Sequence, residues 1–409
     1  MYRIWSSTKG IGKWLVDNTI LDNDEIEYEE IVSSDAKVPK KFHKIPTHIK
    51  NILYLDCPDI IVEHNYKPIF ILEVSTGAGS GHCSFQRIPR IIASLEHNIP
   101  AFYIYPERVL VKRQKGRGWG WDRINPLIFS VLENAMRIHQ IPALLFYYPS
   151  YFHTDIDELS LAQKNNKGLI RDKKYIDCPD STNDEMKEMF KAINSILIKT
   201  KNGIRKTRFL SAKNINNRKT FMIIEGYNNM QRKNKEWSPI TATKKVETNI
   251  VLKYLKQFVK KNYDFGRILK SRENTLIYCA DAKPRTDPYT GSLAALDYLI
   301  CRNGKTFEDR DLNLAMAWGD FNVKDGNIKL KGNKSKSITS FTDKINDMAL
   351  NKNKLLLNKK YKNLKGHQIP RYFMQMRFGS TFTKNKLIRI FSYFCDIILF
   401  HDGVLWREG

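Results

Sequence analysis

The chain predicts a mixed α/β protein, and three observations carry that prediction. Residues 54–106 read in order as a β-branched run, a turn, a wholly apolar run, a Gly-rich loop, a helical periodicity and a final apolar run. A helix followed by the buried run Ala143–Tyr148 then closes an α/β domain near residue 150. The 409 residues are 42% hydrophobic and 11% aromatic, the composition of a globular chain long enough for two or three domains.

Ile60, Ile61 and Val62 form the first strand, and Asn65-Tyr66-Lys67-Pro68 supplies turn residues. Ile69–Val74 is apolar except for Glu73 at its tip. An unpaired carboxylate in a core strand is costly. Asp59 opens the first strand and Glu73 closes the second, so a hairpin brings the two acids together. Two carboxylates above an apolar floor suit a hard divalent cation. The loop after Thr76 contains glycines but lacks the G-K-[ST] ending of a phosphate-cradling P-loop. Ser84–Asn98 carries Ile88, Ile91, Ile92 and Leu95 at helical spacing, with Pro89 in its first turn.

Pro58-Asp59 followed by Glu73-Val74-Ser75 resembles the PD-(D/E)xK nuclease superfamily, which includes many type II restriction endonucleases. The resemblance implies a restriction-endonuclease-like core, a mixed central sheet flanked by helices, over residues 1–150. It implies Mg2+ held by Asp59, Glu73 and the Val74 carbonyl, and Mg-dependent, site-specific hydrolysis of double-stranded DNA. Ser75 stands where the family usually has Lys, so Gln86 or Arg87 in the following helix is expected to take over part of that role. An early acid, Glu29 or Glu30, is a further candidate for the metal site. Palindromic targets would favour a homodimer.

Lys and Arg number 68 against 43 Asp and Glu, a net charge of +25. The first 150 residues carry only +2 of this, and the remainder carries +23. Such an excess suits a polyanionic partner. Residues 151–220 read as a basic connector, and 221–409 as a basic α+β DNA-binding region. Within 151–220, Thr182 and Glu185 read as a capping box ahead of an amphipathic helix. Lys112, Arg113 and Arg117 sit with Trp119 and Trp121 in a Gly-containing basic loop, expected to touch phosphates. Lys283 and Arg285, then Arg371, Gln375 and Arg377 in an alternating stretch, are expected to contact DNA.

Asp281-Ala282-Lys283 at the end of strand Leu276–Ala280 is a second D-x-K string. It makes Asp281 and Lys283 a rival catalytic pair. A catalytically inactive DNA-binding or regulatory protein, and a single-strand or RNA-directed nuclease, are the competing functions. Six scattered cysteines without C-x-x-C spacing argue against a zinc ribbon or disulfide framework and fit a cytoplasmic protein. No apolar run reaches the length of a membrane span.

Overall fold

The structure is a computed structural model. It describes residues 1–32, 44–77, 84–113, 118–202, 240, 242–258, 267–280, 287–306, 308–341, 390–391 and 393–406. The chain forms two compact units, the first holding the described residues up to 202 and the second those from 240 onward. Both are mixed α/β, and no helix among the described residues is long and apolar enough to cross a membrane.

The first unit is built on strands β1 (Tyr2–Ser6), β2 (Ile26–Glu30), β3 (Ile60–His64), β4 (Lys67–Val74), β5 (Ala101–Pro106) and β8 (Ala143–Tyr148), in the spatial order β2-β1-β3-β4-β5-β8. The pair β6 (Arg108–Lys112) and β7 (Trp119–Arg123) forms a separate hairpin. β3 is antiparallel to both β1 and β4, whereas β4, β5 and β8 run parallel. Parallel neighbours need a crossover, and helices α2 (Ile88–Glu96) and α3 (Leu127–His139) supply the two. The β3–β4 turn is tight because Asn65 and Tyr66 both adopt left-handed backbone, at φ 48° and 61°.

Alternation along the strands divides the sheet's faces. Ile60, Val62, Phe70, Leu72, Phe102 and Ile104 join a core covered by α1 (Lys9–Asp17) and α4 (Asp184–Lys201). Residues 59, 61, 71 and 73 therefore belong to the opposite face, where α2 packs on β4 and β5. The stretch expected as a connector is thus part of the first unit as far as α4, whose Met186, Met189, Phe190 and Ile193 complete the core. Its N-cap is Asn183, which accepts from the Glu185 amide at 3.0 Å. The expected Thr182–Glu185 box does not form: Thr182 bonds Asp180, and the Glu185 carboxylate accepts from the Tyr147 amide at the end of β8.

The second unit contains β9 (Thr243–Glu247), β10 (Asn274–Ala280), β11 (Leu312–Trp318), β14 (Ile397–Phe400) and β15 (Gly403–Trp406) in the order β15-β14-β11-β10-β9. Helices α5 (Thr248–Leu255) and α6 (Asp287–Leu296) belong to it, with the hairpin β12 (Asp320–Lys324) and β13 (Asn327–Lys331) turning at Asp325-Gly326 as expected. α6 continues as one π-helical turn, Asp297–Cys301. That turn delivers Asp297 into a buried ion cluster: Arg302 at 2.7 Å and Arg310 at 2.6 Å, with Arg310 also 3.1 Å from Asp396. Burial works against the ionised Asp297, but Arg302 and Arg310 outweigh it and hold its carboxyl below the usual range. Removing one member of such a cluster strands the others in the core. Asp297→Ala is expected to cost about 3–5 kcal/mol, read as a lowered urea midpoint. A shift below a tenth of that would show the cluster to be energetically neutral.

Candidate active site

Asp59 and Glu73 meet because a register shift between Val62 and Glu63 moves the β3–β4 pairing by one residue. Ile60 pairs with Leu72, so the residues just beyond, 59 and 73, lie side by side at the end of the sheet where β4, β5 and β8 finish. The half-buried Asp59 accepts a hydrogen bond from the Val74 amide at 2.9 Å, and the Ser7 hydroxyl lies 3.5 Å from its other oxygen. Glu73 is fully buried.

One Glu73 oxygen, Oε1, accepts from Arg90 Nη1 at 2.7 Å and lies 3.2 Å from Arg87 Nε. Arg90 is itself buried and donates from Nε to Asp56 at 2.9 Å. The other oxygen, Oε2, is buried with no hydrogen-bond partner among the described residues. The acid Glu63 on the same hairpin makes the contrast: its Oε2 accepts from Trp5, and its Oε1 lies 3.2 Å from His48. Glu63 is a satisfied structural carboxylate, whereas Glu73 keeps one oxygen open. A buried oxygen without a partner costs free energy, so such an atom calls for an explanation.

Burial pushes the Glu73 carboxyl up to about 8; Arg90 pulls against it, Asp59 adds to it and Arg87 pulls back. The neighbouring Tyr103, paired with Glu73 across β4 and β5, is also buried, and its hydroxyl has no hydrogen-bond partner among the described residues. Ser75 is buried; its hydroxyl accepts from the Gly77 amide at 3.2 Å and its amide closes β4 onto Ile104. It brings no charge.

Gln86 and Arg87 lie in the turn before α2 and not within the helix, because α2 starts at Ile88. Arg87 reaches Glu73; no contact places Gln86 there. Glu30 ends β2 at the same end of the sheet, but β1 stands between β2 and β3. The basic stretch after Pro106 is the β6–β7 hairpin, not an open loop. Its Lys112 is exposed, while Arg113 is ion-paired with Asp122 at 2.7 Å and Trp121 packs edge-on against Phe152. Arg117, Asp281, Lys283, Arg285, Arg371, Gln375 and Arg377 lie outside the described residues. The strand leading to Asp281 does end beside Ala242, whose carbonyl accepts from the Cys279 amide, with Thr243 opposite Tyr278. Among the described residues at that end of β9, Ile240, Ala242 and Thr243, there is no acid.

Three residues of the site were not singled out in the sequence. Arg90 follows Arg87 by one helical turn, so α2's flank signalled it; Asp56 precedes Asp59 by three. Lys167, whose Nζ donates to the Thr76 carbonyl at 3.0 Å just past β4, had no local signal. A recess of about 450 Å3 lined by Met1, Tyr2, Asp24, Glu25, His64 and Lys201 opens at the opposite end of the sheet, where Tyr2 pairs with His64, and has no part in this site.

No protein-family model, no curated protein and no solved structure matches the chain. Among the described residues no group of three or more His, Cys, Asp and Glu side chains could hold a metal ion. Two carboxylates are nonetheless a common protein share of a magnesium site, which keeps several waters and takes phosphate oxygens.

Folded Glu73 keeps its proton to about pH 8, while the unfolded side chain releases it near 4.5. This group's contribution to stability is therefore complete below the unfolded value and is lost as pH rises through about 8. In metal-free buffer the urea stability of the wild type is expected to fall, relative to Glu73→Gln, as pH rises from about 4.5 to about 8. Parallel curves for the two proteins would show that Glu73 ionises normally.

Proposed function

We propose that the first unit is a Mg2+-dependent endonuclease of double-stranded DNA, of the PD-(D/E)xK type. The observation that carries the reading is the buried, unpartnered Oε2 of Glu73 beside the Asp59 carboxylate at the carboxyl end of parallel strands. Ligands in open α/β sheets bind at that end. The succession hairpin β3–β4, helix α2 and parallel strand β5 supports a restriction-endonuclease-like core.

The donor set is all oxygen and fits a hard cation: Asp59 and Glu73 Oε2 would hold it, with the Val74 carbonyl as a further oxygen. When bound, the ion polarises the scissile phosphate and lowers the pKa of its water. The remaining work falls to the chain. The Val74 amide fixes Asp59, Arg90 engages Glu73 Oε1 and leaves Oε2 without a partner among the described residues, and Asp56 holds Arg90 in place. Arg87, a third exposed, offers a guanidinium at the same end. The net charge of +25 supplies phosphate affinity with a steep salt dependence. Free thiols at Cys57, Cys178, Cys279, Cys301 and Cys395 suit a reducing, cytoplasmic setting, and palindromic cleavage would call for a homodimer.

A catalytically inactive DNA-binding protein is the second reading. It is favoured by the two guanidiniums already set against Glu73 and by the uncharged Ser75. Plasmid digestion separates the two. The enzyme is expected to cut only with Mg2+ and to lose at least about 100-fold in rate in Asp59→Ala and Glu73→Ala. Duplex binding without cleavage would favour the second reading. Full activity in both variants with a dead Asp281→Ala would move the chemistry to the second unit.

A further inference from the structure

A phosphodiester approaching Asp59 and Glu73 adds negative charge to two carboxylates, and hydrolysis concentrates more of it on the phosphate oxygens. Cations on the substrate side must offset that charge. Arg90 is buried and already committed to Glu73 and Asp56, Arg87 lies against Glu73, and Ser75 is neutral. Among the described residues, Lys167 brings an ammonium to this end of the sheet from elsewhere in the chain. Its Nζ lies 3.0 Å from the Thr76 carbonyl, across a sequence separation of 91 residues.

The backbone at Lys167 is arranged for that reach. It is left-handed, at φ 60°, a conformation that favours glycine or asparagine over lysine. The loop is pinned on both sides. The Lys167 carbonyl accepts from the Leu110 amide at 2.8 Å, and its amide donates to Lys164 at 3.0 Å. Gly168, also left-handed, lies under Trp121, where any Cβ would come within 2.5 Å of the ring. An exposed lysine bonded to a carbonyl returns little stability, and its left-handed backbone takes about as much away. Folding alone therefore gives no reason for lysine at this position.

We propose that Lys167 supplies the ammonium that Ser75 lacks, hydrogen-bonding a nonbridging oxygen of the scissile phosphate beside Asp59 and Glu73. The assignment rests on the nuclease reading above. Lys167 gives up no proton in the step: water adds to phosphorus, the P–O3′ bond breaks, and a 5′-phosphate and a 3′-hydroxyl leave. In the ground state the ammonium is held by the Thr76 carbonyl, which keeps it at the strand end until phosphate replaces that oxygen.

The left-handed backbone provides a clean test. Lys167→Gly suits the left-handed backbone and removes the side chain with its ammonium and its weak bond to the Thr76 carbonyl, so the full-length variant is expected to melt at or above the wild-type temperature. Its single-turnover cleavage of supercoiled plasmid is expected to fall about 100-fold. Its affinity for a labelled duplex in EDTA is expected to stay within about twofold, because one phosphate contact among many is removed. Lys167→Arg is expected to recover part of the rate. Cleavage at wild-type rate by Lys167→Gly, with Asp59→Ala inactive, would overturn the Lys167 assignment and leave the nuclease reading standing. So would a rate loss matched by an equal loss of duplex affinity, or a lowered melting temperature. No Mg2+-dependent cleavage by the wild type, or full cleavage by Asp59→Ala, would overturn the nuclease reading and this assignment with it.

Discussion

A carboxylate buried at the tip of a core strand sets the terms for the first unit. Glu73 sits on β4 with no solvent contact, and water cannot stabilise its charge there. The surrounding chain answers on one side only. Arg90 and Arg87 face Oε1, Asp56 steadies Arg90, and Oε2 is left without a partner among the described residues. The result is a group that prefers a proton until about pH 8 and has an oxygen available to another positive charge. A fully satisfied acid such as Glu63 shows what the same hairpin does when a carboxylate serves only the fold.

The sheet topology turns that local arrangement into a site. Because β4, β5 and β8 are parallel, their loops all leave at one end, and antiparallel β3 begins there too. Asp59, Glu73, Ser75 and Thr76 therefore collect without any one of them being close in sequence to the β6–β7 hairpin or the Lys167 loop. Both of those reach the same end through Leu110, Gly168 and Thr76. The hairpin's charges are less available than a plain count suggests, since Arg113 is neutralised by Asp122 and Arg108 is stacked 4.2 Å over Phe152.

The second unit handles charge differently. Its acids Asp297 and Asp396 are enclosed by Arg310, with Arg302 and Arg272 beside them, and the cluster ties the π-helical turn to β11 and to the segment before β14. Asp396 also accepts from the Leu314 amide at 2.9 Å, so the ions fix the backbone of a central strand. No comparable open oxygen is found on these two carboxylates. They serve the fold, and the unit's surface lysines, such as those of the β12–β13 hairpin, carry its exposed positive charge.

Much of the first unit could be read from residue order. The β-branched run at 60–62, the apolar run ending in Glu73 and the isoleucine periodicity of α2 are local patterns, and each became the element it indicated; the turn expected over Asn65–Pro68 is shorter, because Lys67 and Pro68 already pair in β4. The meeting of Asp59 with Glu73 needed more than the turn: a two-residue hairpin alone would set residue 59 opposite 72, and the register shift between Val62 and Glu63 moves it opposite 73. Other features depended on partners far away. Thr182 lost the cap to Asn183 because Glu185 was taken by Tyr147, and residues 151–202 joined the first unit because α4 covers one face of its sheet. Periodicity reports which side of a segment is apolar, not which surface will bury it. The sequence by itself determined the strands and their turns, since these rest on alternation and on contacts a few residues apart, whereas the bulge that sets Asp59 opposite Glu73 carries no local signal. Only the tertiary structure decided that Arg90, held by Asp56, bonds one oxygen of Glu73 and that Lys167 arrives beside Thr76. Those contacts are made by packing segments together, and no spacing along the chain encodes them.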